Sequence, residues 1–67
     1  MSKQFEVFKE ELKYDPPISK EDAYALYGYY FGYYTFNKIS LDELKGLQKI
    51  LGLTDKEVDD LSIWDHL

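Results

Sequence analysis

"YALYGYYFGYYTF", residues 24–36, is the stretch on which the fold turns. Eight of its thirteen residues are aromatic, and six are tyrosines: Tyr24, Tyr27, Tyr29, Tyr30, Tyr33 and Tyr34. As a strand the run has a suitable composition, because Tyr and Phe fit a pleated, half-buried surface. But the chain holds no second strand-like run to pair with it, and a lone strand is not stable. As a membrane span it is too short. Uncharged residues extend only from Ala23 to Asn37, whereas a span needs about 20. Directly before it stands ISKEDA, a helix-start signal. The aromatic run is therefore expected to be a helix, against intrinsic propensity.

That signal occurs three times: ISKEDA (18–23), ISLDEL (39–44) and LTDKEV (53–58). Each is a capping box behind an aliphatic residue. The hydroxyl of Ser19, Ser40 or Thr54 accepts from a first-turn amide that has no partner within the helix. The acid three residues on, Asp22, Glu43 or Glu57, reaches back to the cap's own amide. Ile39 with Leu44, and Leu53 with Val58, clamp the angle at which the chain enters the helix. The intervals between boxes differ, so they punctuate helices and do not mark a structural repeat.

The expected architecture is all-α, a single domain over 1–67 with four helices at about 3–14, 20–37, 41–51 and 55–62. The first carries Phe5, Phe8 and Leu12 on one face and stops at Asp15-Pro16-Pro17. The third carries Leu41, Leu44, Leu47, Ile50 and Leu51, with Gly52 placed to end it in a left-handed conformation. The fourth presents Val58 and Leu61. The short connections imply helices that pack on their sequence neighbours.

On a helical wheel, Ala23, Leu26, Tyr27, Tyr30 and Tyr34 share one broad face of the second helix. Ala25, Gly28, Gly32 and Thr35 form a strip of small residues. Each glycine costs a helix up to ~1 kcal/mol relative to alanine. Two on one face therefore imply close packing against a helix of this chain, a second copy or a partner. Tyr29, Tyr33 and Phe36 lie beside the strip. Twenty Leu, Ile, Val, Phe and Trp residues nearly fill a core of this size, so seven tyrosines cannot all join it. Tyrosine combines large apolar area with a polar tip, which suits interfaces. Tyr24, Tyr29, Tyr33 and Phe36 are the expected partner-binding residues.

Charge and composition narrow the chemistry. The formal net charge is −5, and all eight basic residues are lysines. Without arginine there is no guanidinium fork for base edges or phosphates. Asp55, Asp59 and Asp60 form an acidic patch that repels phosphate and anionic lipid. Residues 40–61, SLDELKGLQKILGLTDKEVDDL, have the cadence of a helix-turn-helix, but the second helix begins with acids that would face DNA phosphates. No direct nucleic-acid or membrane contact is expected. There is no cysteine, so disulfides and thiolate chemistry are excluded and a cytoplasmic home is favoured. The N-terminus reads as an amphipathic helix and not a signal peptide.

The single histidine, His66, stands beside the C-terminus, a poor place for a catalytic triad. Counted from Asp55 as a calcium loop, the sixth and twelfth positions hold Asp60 and His66 where Gly and Glu are required. No enzyme activity, metal, cofactor or small-molecule substrate is expected. Two functions remain. One is a small interaction module that binds a protein partner, or itself, through the tyrosine helix. The other is an acidic inhibitor, of a phage or immunity type, that blocks a basic nucleic-acid site on an enzyme.

Overall fold

Residues 2–61 are described by a computed structural model, and they form four helices: α1 (Lys3–Tyr14), α2 (Lys20–Thr35), α3 (Leu41–Ile50) and α4 (Asp55–Asp59). The aromatic run is helical throughout its first twelve residues, and no strand occurs among the described residues.

The starts follow the local chemistry. Ser40 and Thr54 each accept from the amide three residues on, and Glu43 and Glu57 return the bond to the cap amide at 2.8 and 2.9 Å. Ser19 caps α2 by accepting from the Asp22 amide. Asp22, with its shorter side chain, accepts instead from the amide of Ile18, one residue before the cap. A fourth cap, Ser2 on α1, accepts from the Phe5 amide.

The ends are equally specific. Asn37 (φ 61°) and Gly52 (φ 76°) both adopt the left-handed conformation. The amides of Asn37 and Lys38 bond back to the carbonyls of Tyr34 and Tyr33, and those of Gly52 and Leu53 to Lys49 and Gln48. This is the Schellman arrangement at both α2 and α3. It stops α2 at Thr35, two residues before the expected end at 37. α3 closes at Ile50 and α4 at Asp59, short of the expected 51 and 62.

α3 packs against both α1 and α2. The core holds Phe5, Phe8 and Leu12 from α1, Ala23, Tyr27, Tyr30 and Phe31 from α2, and Leu44 and Leu47 from α3. Ile39, Leu51, Leu53 and Val58 complete it from the helix ends. Leu41 and Ile50, expected inside, are about half exposed because they flank the Leu44/Leu47 face. The Cα trace measures 28 × 27 × 15 Å. That thickness matches two helix layers about 8–10 Å apart, each with its Cα atoms about 2.3 Å from its axis. This packing covers one side of α2 and leaves the other open.

Candidate functional site

The two sides of α2 differ in what they meet. Tyr27 and Tyr30 point inward, at 1 and 2 % exposure. Phe8 stacks on Tyr30 with ring centroids 4.5 Å apart. Loss of water around both phenols pushes their pKa up to about 12. For Tyr27, the carboxylates of Asp59 and Asp55 add to that shift, and for Tyr30 that of Glu11 does.

On the outer side, Gly28, Tyr29, Gly32, Tyr33, Phe36 and Lys38 line an open groove of about 510 Å³. Tyr29 is 54 % and Phe36 77 % exposed. The Tyr29 and Tyr33 rings meet edge-on at 5.1 Å, their hydroxyls 3.2 Å apart. Phe8 of α1 props both rings from below, at 5.7 and 4.9 Å. The hydrogen bond to Tyr33, aided by partial desolvation, raises the Tyr29 pKa. Lys38 is the groove's one charged lining residue, held at its end by the bond from its amide to the Tyr33 carbonyl.

Close packing of Gly28 and Gly32 against another helix of the chain, one of the expected arrangements, does not occur. A Cβ built on either glycine meets no atom of the described residues within 4 Å. α1 and α3 lie on the other sides of α2, so the strip faces outward. The close approach is at Gly46 on α3, where a Cβ would sit 3.4 Å from the Phe5 ring of α1. Nothing in the sequence around Gly46 distinguishes it from a glycine tolerated in an exposed helix.

Tyr24, grouped by sequence with Tyr29, Tyr33 and Phe36, is separated from them. It is half-buried against the core, and its hydroxyl donates to Glu57 Oε2 at 3.2 Å. Burial, then that bond, raises its pKa. The acidic patch is also divided. Asp55 accepts from Gln48 Nε2 at 2.8 Å, while Asp59, at the end of α4, and Asp60, its C-cap, are exposed. His66 and the rest of 62–67 lie outside the described residues.

The two complete capping boxes do more than start helices. In each, one carboxylate oxygen serves the cap and the other ties down a distant element. Glu43 Oε2 accepts from the Ser2 amide at 2.7 Å and the Ser2 hydroxyl at 3.0 Å, joining α3 to the start of α1. Glu57 Oε2 takes Lys20 Nζ at 2.9 Å together with the Tyr24 hydroxyl, joining α4 to α2. The Lys20 bond leads in holding the Glu57 pKa down at about 2, and it raises that of Lys20. The Ser40 amide leads in lowering that of Glu43. These are structural ties. They leave the groove as the described surface with apolar walls, a glycine floor and room for an occupant.

No family model, curated protein or solved structure matches this chain. No described helix is long and apolar enough to cross a membrane.

Proposed function

We propose that this chain is a small non-enzymatic interaction module that binds protein through the outer groove of α2. The observation that carries the reading is the exposure of Tyr29 and Phe36 beside two glycines with open space above them. Aromatic rings propped on a rigid core lose little freedom on binding, and they are common binding hot spots. A glycine floor lets a partner's backbone come close. Tyr33 and Phe36 join Tyr29 as contact residues. Tyr24 serves the fold instead, through Glu57.

The acidic-inhibitor reading draws less support. Asp55 is already bonded to Gln48, which leaves Asp59 and Asp60 as an exposed pair at the end of one short helix. Two carboxylates make a small imitation of a phosphate backbone. A cytoplasmic setting fits a chain without cysteine.

The test is photo-crosslinking in the source cell with benzoylphenylalanine placed at Tyr29, at Phe36 and, as a control, at Ile18. Ile18 is apolar and 92 % exposed but lies outside the groove. Protein adducts at 29 and 36, and not at 18, are the expected result. Equal adducts at all three sites, or none at any, would end this reading.

A further inference from the structure

The groove's own sequence says what fits it. Ala25, Gly28, Gly32 and Thr35 are spaced symmetrically about position 30 of α2. Charge is divided between the two ends, with Lys38 one residue short of position 39, the counterpart of Glu21 about position 30. Glu21 lies on the strip one turn before Ala25, and Lys38 stands at the opposite end. Both are exposed, and neither has an ion pair or side-chain hydrogen bond among the described residues. A surface that is small in the middle, with an acid near the start of the helix and a lysine just past its end, is complementary to itself when turned end for end. That is the condition for an isologous, twofold interface.

We infer that the occupant of the groove is a second copy of this chain, its α2 crossing the first antiparallel near position 30. This rests on reading the groove as a binding surface. A twofold axis there sets Gly28 against the second copy's Gly32, and Ala25 against its Thr35. Phe36, the most exposed ring of the groove, then falls beside the second copy's Ala25, where a methyl group leaves room for it. Glu21 meets the second copy's Lys38, and the reverse pair forms at the other end. The glycines allow the two backbones to approach, so that the flanking Tyr29 rings close over the contact. Each copy carries a formal charge of −5, so the pair is repelled at long range. The two end pairs are the local attraction that opposes this repulsion and fixes the antiparallel sense.

Sedimentation equilibrium of the full chain at physiological salt, up to about 1 mM, the weak end of specific association, tests this. The wild type is expected to be a monomer–dimer mixture. Glu21→Lys and Lys38→Glu change the net charge in opposite directions, to −3 and −7. If net repulsion alone governed association, Glu21→Lys would strengthen it. Paired end charges require both single changes to weaken the dimer, each by about tenfold since two pairs are inverted. The double variant is expected to recover wild-type affinity. Gly32→Leu, which fills the floor, is expected to abolish the dimer while keeping a helical circular dichroism spectrum, because the side chain points to open space in the monomer. A wild type that stays monomeric throughout, or a dimer that Glu21→Lys tightens, overturns the inference. A monomer whose position 36 still crosslinks to a foreign protein in the cell overturns the second copy and leaves the groove reading standing. Absence of any adduct removes the groove reading itself.

Discussion

Tyr29 and Tyr30 are adjacent in sequence and opposite in circumstance: the first is 54 % exposed, the second 2 %. The same contrast runs along α2, with Tyr27, Tyr30 and Phe31 inside and Gly28, Gly32 and Phe36 outside. In an ordinary surface helix, residue type separates the two faces. Here aromatic residues stand on both, and α2 has no clean polar side between Ala23 and Phe36. The inner face is selected by what the other helices bring to it. Phe8 supplies a ring for Tyr30, and α3 closes over the same side. The outer face is left over because, among the described residues, nothing packs above Gly28 and Gly32. The same tyrosine chemistry thus acts as core on one side and as available surface on the other.

The contrast is tested most strongly by removing an inner ring. Tyr30→Ala is expected to cost about 3–5 kcal/mol, as for other large aromatic truncations in a core. Domains carry roughly 0.05–0.15 kcal/mol of stability per residue, so one this small is left near or past its limit. Loss of most helical signal, or a large fall in the urea midpoint, is the expected observation. A midpoint within error of the wild type would mean that the inner face is not the core.

The second effect comes from pH. Tyr27 and Tyr30 titrate at about 12 when folded, against 10.0 for an ordinary tyrosine. A raised folded pKa means that the fold favours the neutral phenol. Their contribution is complete below pH 10 and is lost as pH rises from 10 towards 12. Tyrosinate absorbance and helical signal should therefore change together in that window. Tyr29→Phe should leave the window in place. Smooth titration of all seven tyrosines near pH 10, with helix intact, would contradict the burial of the inner pair.

Much of this architecture is legible from local sequence because the signals are local. A capping box spans four residues, and both partners of Ser40–Glu43 and Thr54–Glu57 stand in view of each other. Gly52 is recognisable as a left-handed terminator for the same reason. What cannot be read is the second oxygen of each capping carboxylate. The partners of Glu43 and Glu57, Ser2 and Lys20, lie 41 and 37 residues away, and only the fold brings them together. Sequence groups Tyr24 with Tyr29, Tyr33 and Phe36, and the contact that separates it from them, Glu57, is similarly remote. The glycines mislead in a related way. Helix propensity says that Gly28 and Gly32 are costly. It does not say whether the compensating contact comes from within the chain. Gly46, which lies against Phe5, carries the same local signature and the opposite environment.

The Glu43 tie sets the third prediction. Glu43→Ala deprives the Ser40 amide, the Ser2 amide and the Ser2 hydroxyl of one acceptor. Partly buried donors left without a partner cost about 1–3 kcal/mol. Ser40→Ala, which removes only the cap, is expected to cost about 1 kcal/mol. Chemical denaturation of the two variants should therefore rank Glu43→Ala as the more damaging. Equal losses would mean that the bridge to α1 contributes nothing beyond the cap.

A fourth, smaller change reverses sign. Gly32→Ala adds a methyl group where none of the described residues lies within 4 Å, so no packing among them opposes the gain in helix propensity. In dilute solution, where the chain is monomeric, it should stabilise by about 0.5–1 kcal/mol. Gly46→Ala should gain at least as much, because its methyl group would reach ordinary van der Waals contact with the Phe5 ring at 3.4 Å. Thermal melts of the two variants side by side measure the difference between an outward and an inward glycine. A destabilised Gly32→Ala monomer would place a hidden neighbour over the strip.

The smallest effect on stability is expected at the most exposed ring. Phe36 is 77 % exposed, caps the C-terminus of α2 through its backbone, and makes no ring contact among the described residues. Phe36→Ala keeps the amide that bonds to the Gly32 carbonyl and removes only the ring. Substitutions at such sites usually stay within about 0.5 kcal/mol of the parent. A monomer therefore has little to lose. An interface has more, because a ring that fills a partner's surface at a hot spot is worth about 2 kcal/mol or more. Phe36→Ala should leave the dilute unfolding midpoint unchanged and weaken association by at least about thirtyfold, the equivalent of that energy for one of the two rings lost per dimer. Tyr30→Ala does the reverse, because its ring is spent on the fold. If Phe36→Ala lowered stability and left association untouched, the outer face would be part of the core, and the distinction between the two sides of α2 would fail.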